Sequence, residues 1–273
     1  MAEARVRTPS SGRDAAWLVG ADLLAVALAF VGQILLAHAL LAEHYGWMVL
    51  AIDLYASLFL IIDLGLPTLI ARDGTRAPEL VPLAVWRSYR WQSLVAVPFL
   101  LLALLARPEQ WLNVHAPAVL LILAGLVALV HVASYAPRSA LRVLGEARLE
   151  AITKVVERGT TVLLYGVLTW QGSSSATAFT GAFLVGATTG WALALFWAMR
   201  VAPPLQGAVE WDRLGNIWST NGQLLAAALP FAITLGVLPY VIRIEKFMVA
   251  ASGSATLGAV FHVAQLALSL IHI

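Results

Sequence analysis

Eight long apolar runs constrain this chain more than any other feature of its sequence. A helix needs about 20 mostly apolar residues to cross a bilayer; seven runs meet this length and an eighth extends to the last residue. The runs are 15–41, 47–70, 86–106, 112–136, 151–170, 176–199, 224–242 and 255–273. Short connections rich in Gly, Pro and polar residues separate them. The pattern predicts an all-α, polytopic transmembrane helix bundle of about eight helices.

The composition excludes several classes of protein. Hydrophobic residues make up 60% of the chain and charged residues 12%, whereas soluble domains have roughly 45–50% and about 25%. There is no cysteine, which excludes disulfides and thiolate ligands. The basic residues lie in the gaps between apolar runs, so nucleic acid is not an expected partner. Phosphate-loop, zinc-helix and nucleophile-elbow motifs are also missing, so we expect neither an enzyme nor a bound metal or cofactor.

The distribution of basic residues predicts the orientation of the chain. If the apolar runs cross in turn, fourteen Lys and Arg lie on the side of the N-terminus and three on the other. Because positive loops stay in the cytoplasm, this predicts a cytoplasmic N-terminus in a bacterial inner (cytoplasmic) membrane. The first run is longer than the apolar part of a cleaved signal peptide, so we expect an uncleaved helix.

The runs also suggest a domain organisation with a partial repeat. Tyr45-Gly46 and Leu257-Gly258 follow similar polar breaks, and their glycines are 212 positions apart in the numbering, as in transporters built from repeated halves. The last six residues, LSLIHI, match one reading frame of a sequencing adapter, so we expect a truncated chain; the alternative is a genuine apolar tail. The predicted parts are a cytoplasmic tail (1–14), a first six-helix half (15–200), a cytoplasmic linker (201–221) and the first two helices of a second half (222–273).

Polar side chains at bilayer depth are costly, and they are therefore candidates for function. The candidates for a substrate or ion path are Asp22, Gln33, Asp53, Asp63, Arg72, Arg243, Glu245 and Lys246. Asp22 and Gln33 are 11 residues apart and share one face of the first helix, which we expect to face the bundle or a water-filled cavity. The alternative is that Asp22 is solvated at the inner interface.

The other candidates each allow two interpretations. Asp53 and Asp63 point about 80° apart on a helix, so one face cannot hold both. Asp63 precedes Gly65 and Pro67, where a helix kink or end would let it pair with Arg72; otherwise it is a simple interfacial carboxylate. His131, near the end of the fourth run, is expected to be structural.

Two basic groups at the ends of apolar runs are similarly ambiguous. Arg243, Glu245 and Lys246 follow the seventh run and either snorkel to the outer interface or line the mouth of a transport path. Arg87 and Arg90 alternate with aromatic residues and either bind an anionic lipid headgroup or anchor the topology.

Three segments together resemble one known family. They are the stretch through DLGLPTLIAR that ends at Arg72, the sequence RSALRVLGEARLEAITKVVERG (138–159), and residues 229–260, in which Glu245 stands where that family often has Asp. They resemble the polysaccharide-export flippases of the multidrug/oligosaccharidyl-lipid/polysaccharide superfamily. Members usually have about 12–14 helices in two halves around a central cavity, so eight helices fit the N-terminal portion of such a protein.

The resemblance implies a function. Such proteins move undecaprenyl-pyrophosphate-linked oligosaccharide units across the inner membrane by alternating access, among membrane lipids and beside polysaccharide polymerase machinery. Basic residues would attract the pyrophosphate, and acidic helix residues such as Asp22 would take part in cation or proton coupling. The alternatives are a cation-coupled multidrug exporter of the same superfamily and a non-transport membrane component of polysaccharide synthesis.

Overall fold

The computed structural model describes residues 11–107, 109–110, 115–205 and 207–271, and every regular element within these ranges is a helix. The predicted all-α bundle is therefore confirmed. The α-helices are α1 (Ser11–Ala39), α2 (Ala42–Phe59), α3 (Leu66–Asp73), α4 (Val81–Ala106), α5 (Ala118–Val143), α6 (Ala147–Trp170), α7 (Ala176–Val201), α8 (Asn221–Ser252) and α9 (Ala255–Ile271). Short 3₁₀ turns occupy Leu60–Asp63, Gly74–Arg76, Pro78–Leu80, Trp211–Leu214 and Asn216–Trp218.

The helices differ in how well they suit a bilayer. Within the described ranges, four segments are both long and apolar enough to cross it: Asp14–Ala39, Ala42–Asp63, Ala118–Val143 and Ala176–Val201. Helices α4 and α6 contain 26 and 24 residues, which is more than 30 Å at about 1.5 Å per residue. Both carry charged residues in their N-terminal halves, and these must be paired or face water.

The second apolar run forms two helices instead of one. Helix α2 ends in a 3₁₀ turn, and both Leu64 (φ 56°) and Gly65 (φ 69°) have left-handed backbone conformations. A Cβ on Gly65 would lie 2.5 Å from Cβ of Phe231 in α8, so only glycine fits here. Pro67 then lies in the first turn of α3, where a missing N–H costs nothing. The run predicted as one helix is therefore broken after Asp63, where the sequence allowed a kink or an end, and the break lets α8 approach closely.

The helices pack in closely contacting pairs, of which α1 and α6 run in the same direction. The main partner of α1 is α6, and α7 packs against both α5 and α6. Within the described residues, side-chain oxygens cap three N-termini. Ser175 accepts from Ala178 N before α7, Thr220 from Gln223 N before α8, and Ser254 from Leu257 N before α9, each at 3.3 Å. Helix α2 packs against α5 and α9, so the two helices that carry the partial repeat lie side by side.

The buried apolar residues form two main clusters. One joins α1, α2, α5, α6 and α7 and includes Met48, Leu120 and Phe179. The other joins α3, α4, α5, α7 and α8 and includes Leu66 and Trp218. Much of the remaining apolar surface, especially along α1, faces outward, as expected where lipid replaces water.

The predicted chain ends are only partly described. Residues 1–10 of the expected tail lie outside the described ranges, and α1 begins at Ser11. Of the LSLIHI sequence, residues 268–271 continue α9, and 272–273 lie outside the described ranges. In the expected linker, two 3₁₀ turns pack against the segment that follows α3.

Candidate functional site

A polar cavity of about 380 Å³ lies among the apolar helices. Residues of α1, α2, α5, α6, α7 and α9 line it. Its chemistry-bearing side chains are Gln33, Asp53, His131, Arg138, Glu157, Arg158 and His262. A cavity lined by ionisable groups at this depth is a functional-site candidate because each charge is costly to bury.

The first charged group in the cavity centres on Glu157 of α6, whose side chain is only 3% exposed. Its carboxylate accepts a hydrogen bond from Arg138, and His131 Nε2 lies 3.2 Å from its Oε1. Arg158 Nε lies 3.9 Å from the same oxygen. We call His131, Arg138, Glu157 and Arg158 the Glu157 cluster. One buried carboxylate thus faces two guanidinium groups and an imidazole.

Helix geometry explains how this cluster assembles. His131 and Arg138 are seven residues apart on α5, about two turns, so both face α6. Close packing of α7 then encloses Glu157: a Cβ on Gly190 would lie 2.7 Å from the Cβ of Glu157, and a Cβ on Gly186 would lie 2.0 Å from Thr161 Oγ1. These glycines form a Gly-xxx-Gly pair of the kind that lets membrane helices approach closely.

One donor in the cluster has no partner. Arg138 Nε is buried and lacks a hydrogen-bond acceptor among the described residues. The hydroxyls of Ser134 and Thr161 donate to the backbone oxygens of His131 (2.7 Å) and Glu157 (3.0 Å), and among the described residues neither accepts from Arg138 Nε. Buried donors without partners are rare in proteins, so Arg138 has hydrogen-bonding capacity available to a molecule in the cavity.

The second charged group joins α2 to α8 and α9. Lys246 Nζ donates to Asp53 and lies 2.6 Å from His262 Nδ1. The side chains of Lys246 and Asp53 are 4% and 17% exposed. We call Asp53, Lys246 and His262 the Lys246 cluster. The ring of His262 also contacts Tyr45, whose hydroxyl donates to Gln33 of α1.

The structure thus brings three of the predicted site residues together. Gln33 and Asp53 line the cavity, and Lys246 binds Asp53. The expectation that Lys246 snorkels to the outer interface is wrong, because its side chain is buried in an ion pair. Glu245, next to it, is exposed, and the side chain of Arg243 lies outside the described part of the chain.

Asp22 lies away from the cavity. Its side chain is 59% exposed and accepts a hydrogen bond from Lys154 Nζ at 2.9 Å. Although Asp22 shares a helix face with Gln33, it lies near the start of α1 beside the start of α6 and does not line the polar cavity. The structure therefore supports the alternative of a solvated carboxylate.

Of the two interpretations of Asp63, the pairing with Arg72 is wrong. Asp63 is buried (2% exposed), and Gln92 Nε2 approaches its backbone oxygen at 3.3 Å. Arg72 instead donates two hydrogen bonds, of 2.9 and 2.8 Å, to its neighbour Asp73. The helix break at Leu64 and Gly65 separates Asp63 from α3, in which Arg72 and Asp73 are adjacent.

Asp73 is the centre of a third polar group, at the bundle end formed by the segments after α3 and α7. Trp218 Nε1 donates to its carboxylate at 2.9 Å, and Arg76 lies 3.7 Å from it. Burial raises the pKa of Asp73, but the hydrogen bonds from Arg72 and Trp218 and the positive charges of Arg72 and Arg76 lower the pKa below its ordinary value.

Arg87 belongs to the same end of the bundle. It donates to Trp218 O (2.7 Å) and to Asn221 Oδ1 (2.8 Å) and stacks 4.5 Å from the ring centroid of Trp211. Because its donors are directed inward, Arg87 acts as a link to the segment before α8, which neither earlier interpretation anticipated. Arg90 remains exposed.

Sequence reasoning missed most of the Glu157 cluster. It treated His131 as structural and Arg138, Glu157 and Arg158 as parts of a basic loop. The seven-residue spacing of His131 and Arg138 was a usable signal, as was a glutamate within the fifth apolar run. Among the described residues, no three His, Asp or Glu side chains lie close enough together to hold a metal ion.

Comparison with known proteins gave one match. A family model described as "Polysaccharide biosynthesis protein" matches residues 11–210, which include α1 to α7 and the whole Glu157 cluster. No curated protein and no solved structure matches the chain.

Proposed function

Because the chain belongs to the polysaccharide biosynthesis protein family, we propose that this multi-pass membrane protein is a flippase for lipid-linked oligosaccharides. Its cargo would be undecaprenyl-pyrophosphate-linked oligosaccharide units, moved across the bacterial inner membrane by alternating access. The proposal includes a cytoplasmic N-terminus, which the basic residues on that side of the chain favour. It makes the protein a transporter and not an enzyme.

The observation that carries the proposal is the charge of the cavity. Arg138, Arg158 and Lys246 outnumber Asp53 and Glu157, so the cavity and its wall have a formal charge of +1 with neutral histidines. Guanidinium groups bind phosphate oxygens through paired hydrogen bonds. The unpartnered Nε of Arg138 is a donor of this kind, and it supports a diphosphate as the charged part of the cargo.

The same charge balance argues against the multidrug alternative. A cationic drug would have to enter a cavity that already has excess positive charge, at a depth where charges are weakly screened. A carboxylate without a basic partner would favour such a drug, but the two cavity carboxylates are both paired.

Complementation tests the function directly. The protein is expressed in strains that lack their own flippase for a matched polysaccharide, and surface polysaccharide is measured. We expect export to return, and we expect Arg138→Gln to lower it at least tenfold while Arg200→Gln leaves it unchanged. Arg200 is an exposed arginine at the end of α7 and serves as the matched control.

Two results would contradict the proposal. The first is a lack of rescue in every matched strain by protein that reaches the membrane. The second is efflux of cationic dyes that depends on the cavity residues, which would support the multidrug alternative. Reporter fusions at the N-terminus and after α1 test the orientation independently.

A further inference from the structure

An apolar groove of about 570 Å³ lies on the outer surface between α1 and α6. Its walls are mostly small or apolar side chains: Ala16, Gly20 and Leu24 on α1, and Ala151 and Val155 on α6. Ala16 and Leu24 are eight residues apart, so the groove follows α1 for about 12 Å. A narrow slot of this shape fits a hydrocarbon chain better than it fits a bulky side chain.

The mouth of the groove carries an aromatic ring and a basic group. Trp17 lines the groove and is 39% exposed. The guanidinium carbon of Arg148 lies 5.3 Å from the centroid of the Trp17 ring. Arg148 precedes the wall residues Ala151 and Ile152 by three and four positions, so it lies on the same face of α6. Tryptophan and arginine at a helix end are typical of the membrane–water interface.

The carboxylates of Glu150 and Asp22, near the mouth of the groove, are paired with basic residues other than Arg148. Arg142 donates two hydrogen bonds to Glu150, and Lys154 is shared between Glu150 and Asp22. Arg148 is exposed and, within the part of the chain that the structure describes, has no carboxylate partner. The groove therefore combines an apolar slot with one uncompensated positive charge at its interfacial end.

We propose that this groove binds an anionic phospholipid, with one acyl chain along α1 and α6 and the phosphate at Arg148. The positive charge of Arg148 selects an anionic headgroup, and burial of apolar surface in the slot holds the acyl chain. The site is separate from the polar cavity, and the proposal does not depend on the transported cargo.

Gly20 provides a direct way to fill the groove. A Cβ at this position would meet no atom within 4 Å, and Gly20 lines the groove, so we expect the side chain of Gly20→Leu to occupy the slot. Ala16→Leu fills the same slot one turn earlier and is the second blocking variant. Gly166→Leu is the matched control, since a Cβ at Gly166 in α6 also meets open space and Gly166 is not part of the groove.

The experiment measures phosphatidylglycerol and phosphatidylcholine retained by the full chain in detergent, by native mass spectrometry. We expect one tightly held phosphatidylglycerol, at least tenfold weaker binding in Gly20→Leu and Ala16→Leu, and unchanged binding in Gly166→Leu. Arg148→Gln should abolish the preference for phosphatidylglycerol over phosphatidylcholine, whereas Arg200→Gln should retain it. Thermal melts confirm that each variant is folded.

Three outcomes would overturn the proposal. Equal retention of phosphatidylglycerol by wild type and both blocking variants would mean that the lipid binds elsewhere. Displacement of phosphatidylglycerol by equimolar undecaprenyl phosphate would assign the groove to a polyprenyl chain. Dimers that Gly20→Leu dissociates would make the groove an interface between two copies of the chain.

Discussion

The buried carboxylate of Glu157 offers the sharpest test of how the polar cavity is held together. Glu157→Gln keeps the size of the side chain but removes its negative charge. Arg138, whose side chain is 14% exposed, then loses its ion-pair partner in the interior. Arg158 also loses a neighbouring carboxylate, but its side chain is 34% exposed and solvent screens it. The expected cost therefore comes almost entirely from Arg138.

The magnitude follows from the burial of both partners. Removing one member of a buried ion pair destabilises a protein by about 3–5 kcal/mol, because an uncompensated charge remains in a low-dielectric site. In a chain of this size each kcal/mol corresponds to a shift in the unfolding midpoint of about 2–4 °C. We therefore expect Glu157→Gln to lower the midpoint by about 6–20 °C.

Thermal unfolding in detergent, followed by circular dichroism, measures this effect. Glu157→Asp keeps the charge and should recover part of the loss. The double variant Glu157→Leu with Arg138→Met removes both charges. Its loss of stability should be smaller, by about 2 kcal/mol or more, than the sum of the losses measured for Glu157→Leu and Arg138→Met separately. A midpoint for Glu157→Gln within 2 °C of wild type, or a double variant that is simply additive, would refute the reasoning.

Three further predictions test other parts of the structure. Asp22→Asn should change stability by less than about 1 kcal/mol and leave polysaccharide export intact, because Asp22 is 59% exposed and outside the cavity; a loss of export at normal protein levels contradicts this. Gly190→Ala should destabilise by about 1–3 kcal/mol, because its Cβ would lie 2.7 Å from the Cβ of Glu157, whereas Gly166→Ala should be neutral or stabilising in the same melt. The pKa of Asp73 is lowered in the folded protein, so its stabilising contribution is complete above the ordinary value of 3.8 and is lost as the pH falls through the folded pKa. Asp73→Asn should remove that loss of stability from the acid unfolding curve. A curve that is the same for Asp73→Asn and wild type would contradict this role of Asp73.

The helices were predictable because a segment that crosses a bilayer must be about 20 residues long and mostly apolar, and both properties can be read from a single sequence. Each apolar run corresponds to helical chain in the described residues, and Gly65 with Pro67 marked the break in the second run. The apolar pattern did not predict how polar α4 and α6 are. In α6, five charged residues fall within the first twelve of the helix. Only the packed structure shows that four of them form ion pairs and that Arg148 stacks on Trp17 of α1.

The candidate site was less predictable, because ion pairs depend on contacts between distant segments. Asp53 and Lys246 are 193 residues apart, and no local pattern indicates that α8 places a lysine beside α2. Arg72 shows the opposite case: one of the two interpretations paired it with Asp63, whereas it binds the adjacent Asp73. The free-energy cost of placing a charge in the bilayer indicates which residues need partners, but it does not identify those partners.

The two charged clusters in the cavity have different mechanical consequences. The Glu157 cluster joins α5 to α6, two helices that α7 encloses on the same side. The Lys246 cluster instead joins α2 to α8 and α9, the two helices that follow α7 in the described chain. Any movement of α8 and α9 away from α2 must separate Lys246 from Asp53 and leave two buried charges unpaired. Since that costs several kcal/mol unless water or another charge replaces the lost partner, opening at this junction requires that the cavity be hydrated or occupied.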